Sequence, residues 1–461
     1  MLVSITQEVK AERFFAAAQN DTGRVSLTRL YQAAGTLRLP RTFWAKPVDG
    51  FFMVGAGAAA VLRAKGADRF STVEQAHREL MESAVVEAPE APGAGPLFMG
   101  GGRFDIEGTR SPAWKGFDDA LLLLPRVTLV QTPETVWSCT NVLVAADADV
   151  DDIERSLAEE QSRWHGVVAE GHGADPSLRS GWKAGAHLPF EDSVSATGWG
   201  RQVERGLQAI QRGVVRKVVL ARERMVRLDG AIDQGVVLER LIAAHANCAV
   251  FAFGAGDRSF MGATPEVLAT QHEGKVNVTC LAGTIRRGKT PSEDKELAQA
   301  LLERAKDRHE HAVVVEAVRE ALSELCARLE WDRLPTIKTL PTVHHLATSF
   351  TGLRPDGAHV LDLVDRLHPT PAVGGLPRGE ALQLIREIEA MDRGWYAGPI
   401  GIVDRWGDGD FGVAIRSALV GEGEALLYAG AGIVAGSDPS QEHAETELKL
   451  KPMLTALQGS R

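Results

Sequence analysis

AGAGIVAGSDPSQEHAETELKLK, residues 429–451, reads as an apolar, glycine-broken strand that turns at Gly436 and restarts as a helix. Asp438 stands where an N-cap belongs, Pro439 takes the first helical position and Gln441 completes a capping-box-like pattern, so the strand-to-helix junction is well specified. On that helix Glu442, Glu445 and Lys449 follow at spacings of three and four, which puts two carboxylates and an ammonium on one face. Such a face is most often solvated and laced with salt bridges. It becomes half of a metal and carboxylate site only if it looks onto the bare backbone of Gly430 and Gly432 and meets matching groups from elsewhere in the chain.

Composition narrows what those groups could serve. At 461 residues and 44% hydrophobic, the chain can build two or three average domains or one large one. A formal charge of −10, with no basic tract and no basic, aromatic-rich segment, argues against a nucleic-acid partner and for small molecules. No run of about 18 apolar residues occurs and the N-terminus carries charges where a signal peptide needs an apolar core, so no membrane span is expected and the chain is placed in the cytoplasm. Cys139, Cys248, Cys280 and Cys326 are too scattered for a disulfide framework or a zinc ribbon and are expected as buried thiols.

Strand-like runs at 51–62, 96–104 and 120–130 and helical spacing at 73–86 and 151–164 fill the first part of the chain. Between Gly166 and Ser195 the composition turns to Gly, Ala, Pro, His and Asp, which predicts a connection between an N-terminal half, residues 1–190, that completes the sheets and a catalytic half, residues 196–455. The second half reads as a helix ending at Gly213, a strand over RKVVLARERMV, further strands over AVFAFGAG, SFMGATPEVLATQH and KVNVTCLAGTIRRG, a long helix from about 292 to 329, and a hairpin around the DGD of WYAGPIGIVDRWGDGDFGVAIRSALV. This order predicts an α+β fold of large, mostly antiparallel sheets with helices packed outside. FFMVGAGAAAVL at 51–62 and SFMGATPEVLAT at 259–270 echo one another; apolar Gly/Ala strands are common, so chance is the expected explanation.

Several residues could carry chemistry. Lys217 stands at the entrance of the apolar strand 218–221; a lysine there is ordinarily a surface charge, but pointed inward its burial would favour a neutral amine able to take a proton. Glu266, in GATPE, sits where Gly262 and Pro265 force a turn at a sheet rim; it is an exposed turn acid by default, and a general acid only opposite such a base. Asp307 and Glu310 repeat the spacing of Glu442 and Glu445, and two helices each offering a pair of carboxylates suit a hard cation such as Mg²⁺. Arg416, in the apolar run FGVAIRSALV, needs an anion, either a buried acid or a substrate carboxylate. His309, His311 and His345 lack zinc-ligand spacing.

The segments KVVLAR, GATPE, LAGTIRRG, Glu310-His311, HHLATSFTG, LHPTPAVGGLPR, RGWYAGPIG, FGVAIRSALV and the 429–452 stretch together resemble, in order, the motifs of the chorismate-utilising enzymes, most closely the isochorismate synthases. The resemblance is dense from about 196 to 455 and diffuse before. Anthranilate synthases of this family generally carry glutamine in place of Lys217, and LHPTPAVGG is similar to the isochorismate synthase version of its segment. The resemblance implies that Lys217 is the base that deprotonates water for attack at C2 of chorismate and Glu266 the acid that protonates the departing C4 hydroxyl. It implies Mg²⁺ held by Glu310 and Glu445, with Asp307 and Glu442 as outer acids. It also implies a substrate pocket lined by Gly283, Thr284, His345, Tyr396, Arg416, Gly430, Gly432 and Lys449, in which Arg416 and Tyr396 take the enolpyruvyl carboxylate. The reaction so implied is reversible and needs neither ATP nor a redox cofactor. Salicylate synthases can also carry the lysine and would release pyruvate; a catalytically silent chorismate binder is the alternative outside enzymes. Menaquinone supply is the expected destination, a catechol siderophore the alternative, and a monomer or weak homodimer is expected.

Overall fold

The computed structural model describes residues 1–9, 14–15, 25–145, 147–173, 188–228, 230, 232–339 and 343–458. In the first half β1 (Leu2–Val9), α1 (Leu27–Thr36), β2 (Arg41–Lys46), β3 (Phe51–Ala56), β4 (Ala60–Ala64), α2 (Arg69–Glu82), β5 (Phe98–Gly102), β6 (Ala120–Leu124), β7 (Val127–Gln131), β8 (Val136–Leu143) and α3 (Val150–Gly173) follow in order. The second half begins with α4 (Ala196–Gln211), β9 (Lys217–Arg227), α5 (Gln234–Ala244), β10 (Ala249–Ala255), β11 (Arg258–Thr264), β12 (Val267–His272) and β13 (Lys275–Arg286). It continues through α6 (Pro291–Glu303), α7 (Ala305–Leu325), β14 (Val343–Leu353), α8 (Val360–Leu367), α9 (Arg378–Ile388), β15 (Pro399–Val403), β16 (Gly409–Val413), β17 (Ser417–Val420), β18 (Glu424–Ile433) and α10 (Pro439–Gln458).

Among the described residues the strands form a 13-stranded and a 10-stranded sheet. Pairing within them is antiparallel except where β1 meets the short strand Val85–Glu87. Side chains alternate between two cores, as the period of two requires. Trp44, Phe251 and Phe253 point between the sheets, while Phe43, Ala45, Val250 and Ala252 point outward beneath α1, α5 and α10. Helices α2, α7 and α8 contact the other sheet, through β4, β13 and β12. The fold is therefore the expected α+β one, two large sheets face to face with helices outside.

The order of the strands repeats. Outward from the central pair β10–β2 of the larger sheet run β11, β17, β18 and β9 on one side and β3, β7, β8 and β1 on the other. The smaller sheet has β16 and β12 beyond β15, against β6 and β4 beyond β5. The two echoing segments occupy matching places in this pattern. FFMVGAGAAAVL leaves the larger sheet after β3 and enters the smaller one as β4, and SFMGATPEVLAT does the same from β11 to β12. The echo is thus positional, contrary to the expectation of chance.

Four local expectations differ. The run 259–270 is two strands, because Pro265 has no N–H for a ladder and the chain changes sheets there. Likewise Ala414–Arg416 interrupts what reads as one strand between β16 and β17. The helix from 292 is two helices, broken at Arg304, whose extended ψ of 115° redirects the chain. The hairpin turns at 404–408, where Asp404 accepts from the amides of Trp406 and Asp408, and Asp410 already lies in β16. In addition α3 continues to Gly173, into the stretch read as a connection, of which 174–187 lie outside the described residues.

Candidate active site

The two places where the chain changes sheets lie side by side, since β11 pairs with β17 in one sheet and β12 with β16 in the other. They deliver Glu266 and Arg416 to the same cavity, ≈ 540 Å³ in volume. Arg416 holds φ at +53°, and its carbonyl accepts from Ala263 N, so the turn is pinned to the neighbouring strand. A side chain at Gly262 would meet that carbonyl at 2.7 Å, which explains the glycine of GATPE.

The strand and helix of 429–451 close the opposite wall. Gly436 turns with φ +83°, and Asp438 accepts from the amides of Ser440 (3.0 Å) and Gln441 (2.9 Å), capping α10 as its sequence specifies. Glu442, Glu445 and Lys449 on α10 line the cavity beside Gly430 and Gly432 of β18. Lys449 Nζ bridges Glu445 at 2.6 Å and donates to Gly430 O at 2.8 Å. Burial alone would raise the Glu445 carboxyl, but Lys449 and Arg416 hold it below its ordinary range, so it is ionised.

Lys217, at the start of β9, is turned inward and only 4% exposed, and its Nζ lies 2.6 Å from Glu310 Oε1. A Cβ at Gly432, opposite Val219 in the ladder, would lie 3.1 Å from Lys217 Cε and 3.6 Å from Glu310 Oε1; this glycine leaves room for that pair. Asp307 and Glu310 come from the first two turns of α7, which the break at Arg304 aims at the cavity. A bulge in the β13–β14 pairing falls at Gly283 (φ +77°), beyond which Thr284 is opposite His345. Thr284 Oγ1 and His345 Nδ1 are 3.0 Å apart. Burial, with Arg416 and Lys449 nearby, pushes His345 down to about 3, so the ring is neutral.

Glu266 is the most perturbed acid of the site. Burial pushes its carboxyl up to about 7 against the opposing pull of Arg416, Lys217, Lys449 and Lys338. Tyr396, stacked on Tyr428 with ring centroids 5.1 Å apart, is raised by burial to about 12 and stays a neutral donor. The Arg416 guanidinium makes no hydrogen bond or ion pair with the described residues, and burial depresses it from the ordinary range. A guanidinium with no bonded acid, facing a cavity, is a ready receptor for a carboxylate.

The structure thus brings all the sequence-derived candidates to one cavity: Lys217, Glu266, Gly283, Thr284, Asp307, Glu310, His345, Tyr396, Arg416, Gly430, Gly432, Glu442, Glu445 and Lys449. Oxygen-only donors from two helices have the chemistry of a Mg²⁺ site, which takes one or two carboxylates and completes its shell with water and substrate oxygens. Among the described residues no three acids or histidines are grouped as a ready-made cluster, and Glu310 and Glu445 are each engaged by a lysine. Sequence reading overlooked Arg393, Arg304 and Gln441, which also line the cavity. For Arg393 a signal existed, since Glu389 precedes it by four residues, but both lie past the last helical residue of α9, Glu389 at its C-cap.

A family model described as chorismate binding enzyme matches residues 3–458. The salicylate biosynthesis isochorismate synthase of Pseudomonas aeruginosa is 40% identical over 420 residues, 91% of this chain and 85% of that protein. The isochorismate synthase MenF of Bacillus subtilis is 34% identical over 427 residues, 91% of this chain and 88% of its own length. The solved structure of MenF, the menaquinone-specific isochorismate synthase from Escherichia coli, shares the fold with a TM-score of 0.79 and 23% identity, covering 99% of this chain and 95% of that one. With the family's pattern running through nearly the whole chain and the fold shared from end to end, this protein belongs to the chorismate binding enzymes.

Proposed function

We propose that this chain is an isochorismate synthase, which isomerises chorismate reversibly by adding water at C2 as the C4 hydroxyl leaves. The observation that carries the reading is the single cavity shared by a buried lysine, a carboxyl held near 7 and an arginine with no bonded acid among the described residues. Relatives 40% and 34% identical over nine-tenths of the chain, both isochorismate synthases, support it. In this reading Lys217 takes the proton from water. Glu266, still largely protonated at neutral pH, gives one to the leaving hydroxyl. Arg416 and Tyr396 hold the enolpyruvyl carboxylate, while Gly283, Thr284, His345, Gly430, Gly432 and Lys449 shape the rest of the pocket. Glu310 and Glu445 would hold Mg²⁺, with Asp307 and Glu442 as outer acids, and the ion's charge would neutralise the ring carboxylate and orient the ring. The protein's own work is to place an acid and a base about one ring.

Purified protein incubated with chorismate and Mg²⁺, with products separated by chromatography, tests the assignment. Isochorismate in equilibrium with chorismate is expected. Salicylate with stoichiometric pyruvate would make the protein a salicylate synthase, and binding without turnover a silent relative. For the product we propose menaquinone synthesis, a reading supported by the likeness to MenF of Bacillus subtilis, although the 40% relative is named for salicylate biosynthesis. Loss of menaquinone in a deletion strain is expected; loss of a siderophore instead would redirect it.

A further inference from the structure

The outer edge of β9 is covered by strand Gly375–Leu376 at Lys217 and Val218 and by strand Phe190–Asp192 at residues 224–226. Between them the ladder has a gap, and two buried side chains fill part of it. Glu389 Oε1 accepts from Ala221 N at 2.7 Å, and Arg393 Nη2 donates to Val219 O at 2.7 Å. The two are locked together by a fork, Arg393 Nη2 to Glu389 Oε1 at 2.6 Å and Nε to Oε2 at 2.8 Å. Arg393 Nη1 also donates to Val373 O at 3.1 Å, its backbone carbonyl accepts from Tyr396 N at 2.8 Å, and its guanidinium lies 4.2 Å over the Phe104 ring. One side chain therefore ties the segment that leads into the Tyr396 turn to two other walls of the cavity, the strand that starts at Lys217 and the Val373 loop. Arg393 lines the cavity as well.

Resting on the proposed isomerase reading, we propose that Arg393, held by Glu389, is a positioning residue that fixes the Lys217 strand against the opposite walls so that the amine meets water at the right place on the ring. Ordinary strand pairing would have satisfied the same backbone groups. The planar fork instead sets a distance between three separate segments, which a lysine cannot reproduce. Its loss should act on turnover more than on substrate capture, because the Arg416 turn and the acids of α10 are held by contacts that do not involve its side chain.

The test compares wild type, Arg393→Lys, Arg393→Ala and Glu389→Gln as full chains with chorismate and Mg²⁺. The wild-type product is identified first, and variants are scored as ratios to it. In the folded variants kcat should fall by about 10- to 100-fold with KM changed by no more than about threefold, as a small misplacement of a reacting group would do. Guanidinium chloride at tens of millimolar should restore part of the loss in Arg393→Ala and none in Glu389→Gln. Should Arg393→Ala fail to fold, Arg393→Lys and Glu389→Gln carry the kcat-against-KM comparison. Wild-type kcat in a folded variant, or a loss taken in KM alone, overturns the inference while leaving the reaction assignment intact. A wild type that releases no product overturns both.

Discussion

Glu266 shows how far one residue can be followed. Its type and its turn were readable from GATPE, but its protonation was not, because that depends on burial contributed by segments remote in sequence. In the folded chain the carboxyl titrates at about 7 rather than its ordinary 4.5, so between these pH values the folded state keeps a proton that the unfolded chain has lost. Stability therefore falls as pH rises through that window. Glu266→Gln should be more stable than wild type at pH 8, by up to roughly 3 kcal/mol, and equal to it near pH 4. Denaturant titrations at the two pH values check this, and an equal offset at both would contradict the burial argument. The same variant should lose at least about 100-fold in kcat as the general acid disappears, and wild-type kcat should decline above about pH 7. At Arg416 the sequence showed that an anion was required but left open whether protein or ligand supplies it. With no acid bonded to it among the described residues, Arg416→Ala should raise KM for chorismate by about 10- to 100-fold, the worth of a charged hydrogen bond, which steady-state kinetics would show.

At the scale of elements, the strand, turn, cap and charged face of the stretch 429–451 were legible, because these are local properties. The breaks that build the site were less so. Pro265 marks one change of sheet, whereas nothing in LLERAKDRHEH or AIRSALV marks the break at Arg304 or the crossing at Arg416. Both are imposed by packing: α7 must lie on β13 and β14, and β16 and β17 belong to different sheets. The β13 bulge is a similar case, read as an unbroken strand although Gly283 has φ +77°. Gly283→Ala should cost about 1 kcal/mol or more from the positive φ alone, and would press a methyl to 3.2 Å from Asp307 Cβ. Its effect on activity should exceed its effect on stability, because it displaces Asp307 and Thr284 together; a variant with normal kcat/KM and lowered stability would place the bulge outside the site.

For the whole molecule, the fold class followed from the order of strands and helices, while the repeat of the strand order was visible in sequence only as a faint echo, since topology persists after side chains diverge. Each half contributes strands to both sheets, joined at β2–β10 in one and β5–β15 in the other. Neither seam offers water a place to enter without exposing a strand edge. Calorimetry should therefore give one cooperative unfolding transition. Two well-separated transitions would mean that the halves fold as independent units.

The chemistry itself is tested most directly in water enriched in oxygen-18. Chorismate and Mg²⁺ are incubated with wild type and with Lys217→Ala, and the product is weighed by mass spectrometry. Wild type should release isochorismate with one solvent oxygen at C2, and Lys217→Ala should bind chorismate but release none. Unlabelled isochorismate, or labelled product at an undiminished rate from Lys217→Ala, would contradict attack by a water that Lys217 deprotonates.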